Sequence, residues 1–141
     1  MSKIRTGNIY QDWVKKWIEE SWRGAIVHNQ KSVSTRITLK DGREIWVSKR
    51  NDIFGCVDLI CIIPSGQLMF IQCTAHTGVK KRLDQFKRIP WPLHRCIVQL
   101  WQKKSERGRT VIQQLFKQGD SFELRVIGEI KNRKYTSIAP K

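Results

Sequence analysis

The chain has 141 residues, and its 27 lysines and arginines against 12 aspartates and glutamates give a net charge of +15. The length is typical of one domain, and 40% hydrophobic residues with six tryptophans exclude a disordered chain. Such an excess of positive charge calls for a polyanionic partner, and nucleic acid is the usual one because basic groups on phosphates release counterions. An anionic membrane is the competing partner, but neither a basic amphipathic helix nor a lysine-dense tail beside an apolar anchor is evident.

The apolar runs and the cysteines indicate the cellular compartment in which the protein is expected. The longest nearly unbroken apolar run, Val57–Ile63, is far too short to span a membrane, and the first residues contain no apolar signal-peptide core. We therefore expect a cytosolic protein. Cys73 and His76 form a CxxH pair, but there is no second pair at zinc-ligand spacing. We expect reduced core thiols at Cys56, Cys61, Cys73 and Cys96.

The first half of the chain predicts a helix and a hairpin. Apolar residues recur every four positions from Ile9 through Trp13 to Trp17, which indicates an amphipathic helix. The pair Asp41-Gly42 is a strong hairpin signal between two strand patterns. In chain order we expect a helix over Asn8–Trp22 and strands over Ala25–His28, Val33–Leu39 and Glu44–Ser48.

The second half predicts a central hairpin, a basic helix and further strands. Two mainly apolar runs on either side of Ser65-Gly66 are typical of strands buried on both faces. The basic helix ends at Pro90 and Pro92. We expect strands over Val57–Ile63 and Gln67–Thr74, a helix over Val79–Ile89, a strand over Arg95–Gln102, a short helix over Val111–Gln118, a strand over Phe122–Ile130 and a loose basic tail from Lys131 to Lys141. This order predicts one α/β domain with a mixed sheet sandwiched between helices.

Polar side chains stand inside two of these apolar runs. Asp58 lies within Val57–Ile63, where a carboxylate is costly to bury without a cation or hydrogen bonds. Gln72 and Thr74 share one face of the next strand, because side chains alternate with period two. The hairpin would bring these groups together, and the arrangement can hold a divalent ion against a phosphate. The alternatives are a cap satisfied by backbone N–H groups for Asp58 and a buried amide that bridges strands for Gln72.

An acid, a hairpin and a polar-x-polar pair before a basic helix resemble the PD-(D/E)xK nuclease superfamily, and within it the small archaeal and phage-type Holliday-junction resolvases. The resemblance covers roughly Arg5–Gln102. Asp58 matches the first acid of the family motif, whereas Gln72 stands at the second acidic position and Thr74 at the lysine position. Gln11 stands where the family carries a glutamate on its first helix, although such a residue is also typical of a solvated helix face.

The resemblance implies a restriction-endonuclease-like α/β/α sandwich spanning 1–141 as a single domain. It also implies a metal-dependent endonuclease that hydrolyses phosphodiester bonds in DNA, including branched DNA, as a homodimer with Mg²⁺ or Mn²⁺. The implied metal ligands are Asp58, Gln72, the backbone carbonyl of Cys73 and Gln11. The resemblance also permits Asp52 as a substitute ligand, although Asn51-Asp52 suits a loop turn on its own. The implied catalytic set is Asp58, Gln72, Thr74 and Lys80, with Lys81 as an alternative source of the ammonium group and Glu19 or Glu20 as alternative acids.

Basic residues along the chain would bind phosphate whether or not the site is catalytic. They are Arg5, Lys80, Lys81, Arg82, Lys87, Arg88, Lys103 and Lys104. Trp91, between two prolines, is either a base-stacking residue or a core tryptophan. Two functions stay open: a nuclease, and a nucleic-acid-binding domain that has kept the fold without the chemistry. The sequence also leaves DNA and RNA open as the substrate.

Overall fold

The computed structural model describes residues 3–30, 33–49, 53–75, 78–104 and 108–138, and the side chains of residues 3–6, 33–35 and 48–49 lie outside the description. Within these ranges the chain forms two helices and nine strands. They are α1 (Lys3–Ser21), β1 (Ile26–Asn29), β2 (Val33–Thr38), β3 (Glu44–Lys49), β4 (Leu59–Ile62), β5 (Leu68–Ala75), α2 (Val79–Lys87), β6 (Cys96–Lys103), β7 (Arg109–Gln118), β8 (Ser121–Lys131) and β9 (Lys134–Ser137).

Seven of the strands form one mixed sheet in the order β1-β4-β5-β6-β7-β8-β9. Neighbouring strands are antiparallel except for the central pair β5 and β6, which α2 connects. Because β5 and β6 are parallel, their carboxyl ends lie at the same edge, where Ala75 is the register partner of Lys103. The predicted α/β class with a mixed sheet is confirmed.

Apolar residues cover both faces of the central strands. On one face, α1 contributes Tyr10, Val14 and Ile18 to a cluster that includes Trp101, which is 1% exposed. On the other face, Phe86 of α2 packs in a second cluster built from residues of β6 and its neighbours. Each large apolar side chain buried in this way contributes about 1.5–3 kcal/mol. The helical periodicities predicted for both segments are therefore confirmed, although α1 begins at Lys3 rather than Asn8.

The prediction of a short helix over Val111–Gln118 is wrong, because this segment belongs to β7. β7 pairs with β6 on one side and with β8 on the other. Ile112 lies in the cluster beside α1, whereas Leu115 lies in the cluster beside α2. A strand that is apolar on both faces loses the clear alternation of period two, and its apolar residues then fall at helical spacing.

The prediction of a loose tail is wrong as far as Ser137, because β8 continues to Lys131 and β9 pairs with it. Asn132 and Arg133 form the turn with φ angles of 51° and 63°. Two successive positive φ angles are typical of the tightest hairpin turns, which usually carry glycine. Gly128 allows the strands to close, since a Cβ atom there would lie 2.5 Å from the Tyr135 ring.

The predicted hairpin around Asp41-Gly42 is confirmed, with Ile37 as the register partner of Ile45. β2 and β3 nevertheless form a two-stranded sheet of their own instead of joining the mixed sheet. The chain leaves the mixed sheet after β1 and returns to it at β4. The hairpin is therefore an insertion between two adjacent strands.

Candidate functional site

The site begins where β4 and β5 separate. Their pairing runs from Ile62 and Leu68 to Leu59 and Ile71, and the Asp58 N–H still donates to the Ile71 carbonyl at 2.9 Å. Beyond this point the Cys73 N–H donates to the Asp58 carboxylate, at 2.9 Å from Oδ2. Asp58 is 3% exposed. The Asp58 side chain thus replaces the missing strand partner of Cys73. This confirms, for Oδ2, the alternative prediction that a backbone N–H satisfies the Asp58 carboxylate.

Gln72 brings an open oxygen to the same place. Its side chain is 2% exposed, and Nε2 donates to the Cys73 carbonyl at 3.1 Å. The amide nitrogen must face this carbonyl, because two oxygens would repel each other. Oε1 is buried and has no hydrogen-bond partner among the described residues. The Gln72 amide group forms its hydrogen bond with the neighbouring backbone instead of bridging strands. Its oxygen is therefore open to a cation or to a hydrogen-bond donor from a ligand.

Two more oxygens of this kind lie on α1 and β1. Gln11 is 8% exposed, so it belongs to the buried face of α1 rather than its solvated face. Gln11 Oε1 and Asn29 Oδ1 are buried and unpartnered within the described part of the chain. Asn29 pairs in register with Leu59, and its Nδ2 donates to Asp12 Oδ1 at 2.9 Å. Sequence reasoning missed Asn29, whose signal is a polar residue at the end of a strand beside Asp58.

Thr74 occupies the lysine position of the motif without offering a charge. It is 7% exposed and pairs in register with Gln102 of β6. A Cβ atom on Gly78, which precedes α2, would lie 3.9 Å from Thr74 Oγ1. The hydroxyl therefore lies against the start of α2. Lys80, the second residue of α2, is exposed, so the structure leaves it as a source of positive charge at this edge.

The other acids proposed from the sequence differ in their surroundings. Glu19 and Glu20 form ion pairs along the helix with Lys15 at 3.4 Å and Lys16 at 3.9 Å. Both carboxylates are largely exposed, which argues against a role as buried ligands. Asp52 lies outside the described residues. Asp58 is thus the buried acid of the site.

Most of the predicted phosphate-binding side chains lie at the protein surface. Five of the eight predicted phosphate-binding residues are exposed, namely Lys80, Lys81, Lys87, Arg88 and Lys103, while Arg82 and Lys104 are half-buried and the side chain of Arg5 lies outside the description. Lys103 Nζ lies 5.9 Å from the centroid of the Tyr10 ring, so this lysine is turned towards α1. The lysines of α2 carry no ion pair with a described acid. Their charges are free to bind phosphate.

Trp91 and the cysteines belong to the core. Trp91 is 6% exposed, and its Nε1 donates to the Phe86 carbonyl at 3.0 Å, which confirms the core alternative. All four cysteines are buried thiols that form no disulfide, as predicted. Burial, and then the charge of Asp58, raises the pKa of the Cys73 thiol well above its usual value. Burial also raises the pKa of Cys61 to about 12. Both thiols are therefore neutral at physiological pH and add no charge to the site.

The donors suit a hard cation by atom type, because Mg²⁺ prefers oxygen ligands. Their charge is low, since Asp58 is accompanied by amide oxygens. The described residues contain no group of three or more His, Cys, Asp or Glu side chains that could hold a metal ion. Cation affinity rises with the number of charged ligands, so we expect weak binding by the protein alone.

No family model, curated protein or solved structure matches the chain. The described helices include none that is long and apolar enough to cross a membrane.

Replacing Asp58 with alanine should leave the buried Cys73 N–H without an acceptor. We expect the free energy of unfolding in urea to fall by about 1–3 kcal/mol. Asp58→Asn keeps a carbonyl oxygen at this position and should cost clearly less. Asp84→Ala, at an exposed position of α2, is the control and should have almost no effect. Equal losses for the alanine and asparagine variants of Asp58 would contradict the role of the hydrogen bond.

Replacing Gln72 with glutamate should make stability depend on divalent cations. Without a cation, the new carboxylate faces the Cys73 carbonyl and lies close to Asp58, so the melting temperature should fall in EDTA. With Mg²⁺ or Mn²⁺ it should rise by at least about 4 °C, which corresponds to about 1 kcal/mol. Gln118→Glu, at the exposed end of β7, is the control. If the melting temperature of Gln72→Glu does not change when the cation is added, the result argues against a metal site.

Proposed function

We propose that this chain is a metal-dependent nuclease of the PD-(D/E)xK type, with a restriction-endonuclease-like sandwich and DNA as its substrate. The observation that carries the proposal is the buried Gln72 Oε1, which has no partner among the described residues. It lies beside Asp58 at the fork, the point where β4 and β5 separate. The fold assignment is supported by the order helix, three antiparallel strands, helix and parallel strand, with α1 and α2 on opposite faces of the sheet.

Asp58 and Gln72 would hold the cation, with Gln11 and the second lone pair of the Cys73 carbonyl as further oxygen donors. A bound Mg²⁺ would polarise a phosphate and lower the pKa of an attacking water. Thr74 has no ammonium group. The exposed Lys80 would therefore balance the negative charge on the scissile phosphate. Lys81 is the alternative because it lies in the same turn.

The basic groups of α2 and Lys103 would hold the nucleic-acid backbone at this edge. Phosphate contacts of this type fix the position of a duplex without reading its sequence. Because the chain carries a net charge of +15, they act within a field that attracts polyanions from a distance. Binding should therefore be strong at low salt and weak at high salt.

A homodimer is part of the proposal, since a four-way junction presents two symmetric cleavage points. An exposed aliphatic patch at the opposite edge of the sheet supports it. Ile26, Ile62 and Leu68 are neighbours in register across β1, β4 and β5, with exposures of 66%, 43% and 41%. An isologous contact between two such patches would bury them and leave both fork sites accessible.

A second candidate function is binding without cleavage. Gln72 Nε2 already occupies the Cys73 carbonyl, and Asp58 is the one buried acid among the described residues. A site of this kind has less negative charge than two-carboxylate metal sites, so it favours a domain that binds nucleic acid and leaves it intact.

Incubation with labelled DNA separates the two candidates. We expect the wild type to cleave a four-way junction, a duplex or a single strand in Mg²⁺ or Mn²⁺. Asp58→Asn, which keeps the fork folded, should reduce the rate at least about 100-fold, because a metal-activated water and its electrostatic support are lost. Cleavage by this variant at the wild-type rate would disprove the assigned site. Tight binding at low salt without any cleavage would establish the second candidate instead.

Replacing both Lys80 and Lys81 with alanine should weaken binding to all sequences alike. The slope of log K against log salt should decrease by about 1.8, since each lost phosphate contact on duplex DNA removes about 0.9. Binding curves at several salt concentrations measure this slope. The control replaces Lys117 and Lys134, two exposed lysines on β7 and β9. If the slope is the same for the α2 variant and the wild type, this helix is not part of the interface.

A further inference from the structure

The β2–β3 hairpin is attached to the molecule at the fork. The Gln30 N–H, just after β1, donates to the Asp58 carbonyl at 2.8 Å. On the return path, Ile53 forms a bridge with Val57, the residue before Asp58. Both ends of the insertion therefore connect beside Asp58, so the hairpin extends from the same edge as the candidate site.

The hairpin exposes an unusual amount of apolar surface. Trp46 is 70% exposed, more than any other described tryptophan, and Ile37 and Ile45 are each 40% exposed. Neither β2 nor β3 makes extensive contacts with another described helix or strand. Ile37 and Ile45 lie on one face of the hairpin and Trp46 lies on the other, because side chains alternate along a strand. An isolated two-stranded hairpin is marginally stable in water, so a partner that covers Trp46 would also help to order the hairpin.

The charges of the hairpin indicate the class of partner. Arg36 is the register partner of Trp46, so the two side chains share one face. The strands and their turn carry four basic residues, Arg36, Lys40, Arg43 and Lys49, and two acidic ones, Asp41 and Glu44. Glu44 pairs with Arg36 and Asp41 pairs with Arg43, so the hairpin keeps an excess of positive charge from its two lysines. This excess of positive charge beside the exposed Trp46 would attract a polyanion.

We propose that the β2–β3 hairpin is a nucleic-acid-binding arm, and that Trp46 stacks on an unpaired base of the nucleic acid held at the Asp58 edge. This inference rests on the proposed function and names its substrate class: nucleic acid with unpaired bases next to the bound backbone. An indole ring stacks on any base regardless of sequence. Bases inside a duplex are already stacked on both faces, so a single-stranded or branched segment is the preferred ligand.

Anisotropy of labelled oligonucleotides in EDTA tests this directly, because cleavage is then prevented. Three ligands of equal length are compared: a single strand, a duplex with an unpaired loop and a fully paired duplex. Trp46→Ala should weaken binding to the first two ligands about 10-fold and to the paired duplex less than about 2-fold. Trp46→Phe should keep most of the affinity, since phenylalanine also stacks. Melting curves confirm that each variant is folded.

Trp22→Ala is the matched control. Trp22 is 40% exposed and lies before β1, at the edge of the sheet opposite Asp58, so its replacement should leave all three affinities unchanged. Equal losses on all three ligands for Trp46→Ala, or no loss, would overturn the inference. Wild-type protein that binds no ligand would overturn the proposed function together with it. Wild-type binding that Lys80 and Lys81 control but Trp46 does not would overturn the inference alone.

Discussion

The hydrogen bond from the Cys73 N–H to Asp58 Oδ2 determines the shape of the candidate site. Where β4 and β5 separate, the backbone of β5 loses a partner strand, and the carboxylate takes the place of that strand. The Asp58 carbonyl also accepts the Gln30 N–H at the end of β1, so three strands meet at one residue. The hairpin insertion leaves and returns at this same residue. A buried acid is costly in most strands, but here it stabilises the opening around which the site is built.

The low negative charge of the site is compatible with nuclease chemistry if the cation and the nucleic acid bind together. Mg²⁺ in proteins is often held by one or two carboxylates and completed by substrate phosphates. In this chain the exposed lysines of α2 repel a free cation and attract a phosphate. In the proposed complex, the phosphate would bring the negative charge that Gln72 does not supply. Cation affinity measured on the protein alone would accordingly underestimate the affinity of the complex.

Much of the site could be predicted from the sequence because local rules place it. The Ser65-Gly66 turn and the period of two bring Asp58 and Gln72 together, and the structure places both beside Cys73. β7 was predicted wrongly, because burial on both faces gives it helical spacing, and β9 was missed because its turn lacks glycine. The orphaned oxygen of Asn29 and the exposure of Trp46 depend on which strands join the sheet. Tertiary pairing of this kind leaves no periodic signal in the chain.

The unpartnered oxygens help to separate a catalytic site from a purely structural one. A buried carbonyl oxygen without a donor costs about 1–3 kcal/mol, whereas an apolar side chain of similar shape would cost nothing of this kind. If the chain bound nucleic acid through its surface lysines alone, leucine at Gln72 and Gln11 would make the protein more stable and leave binding intact. Buried oxygens without a partner among the described residues, at Gln72 and Asn29 beside Asp58 and at Gln11 on α1, are explained when a ligand supplies the missing partner. A hard cation can coordinate several oxygens at once, whereas a single hydrogen-bond donor satisfies one.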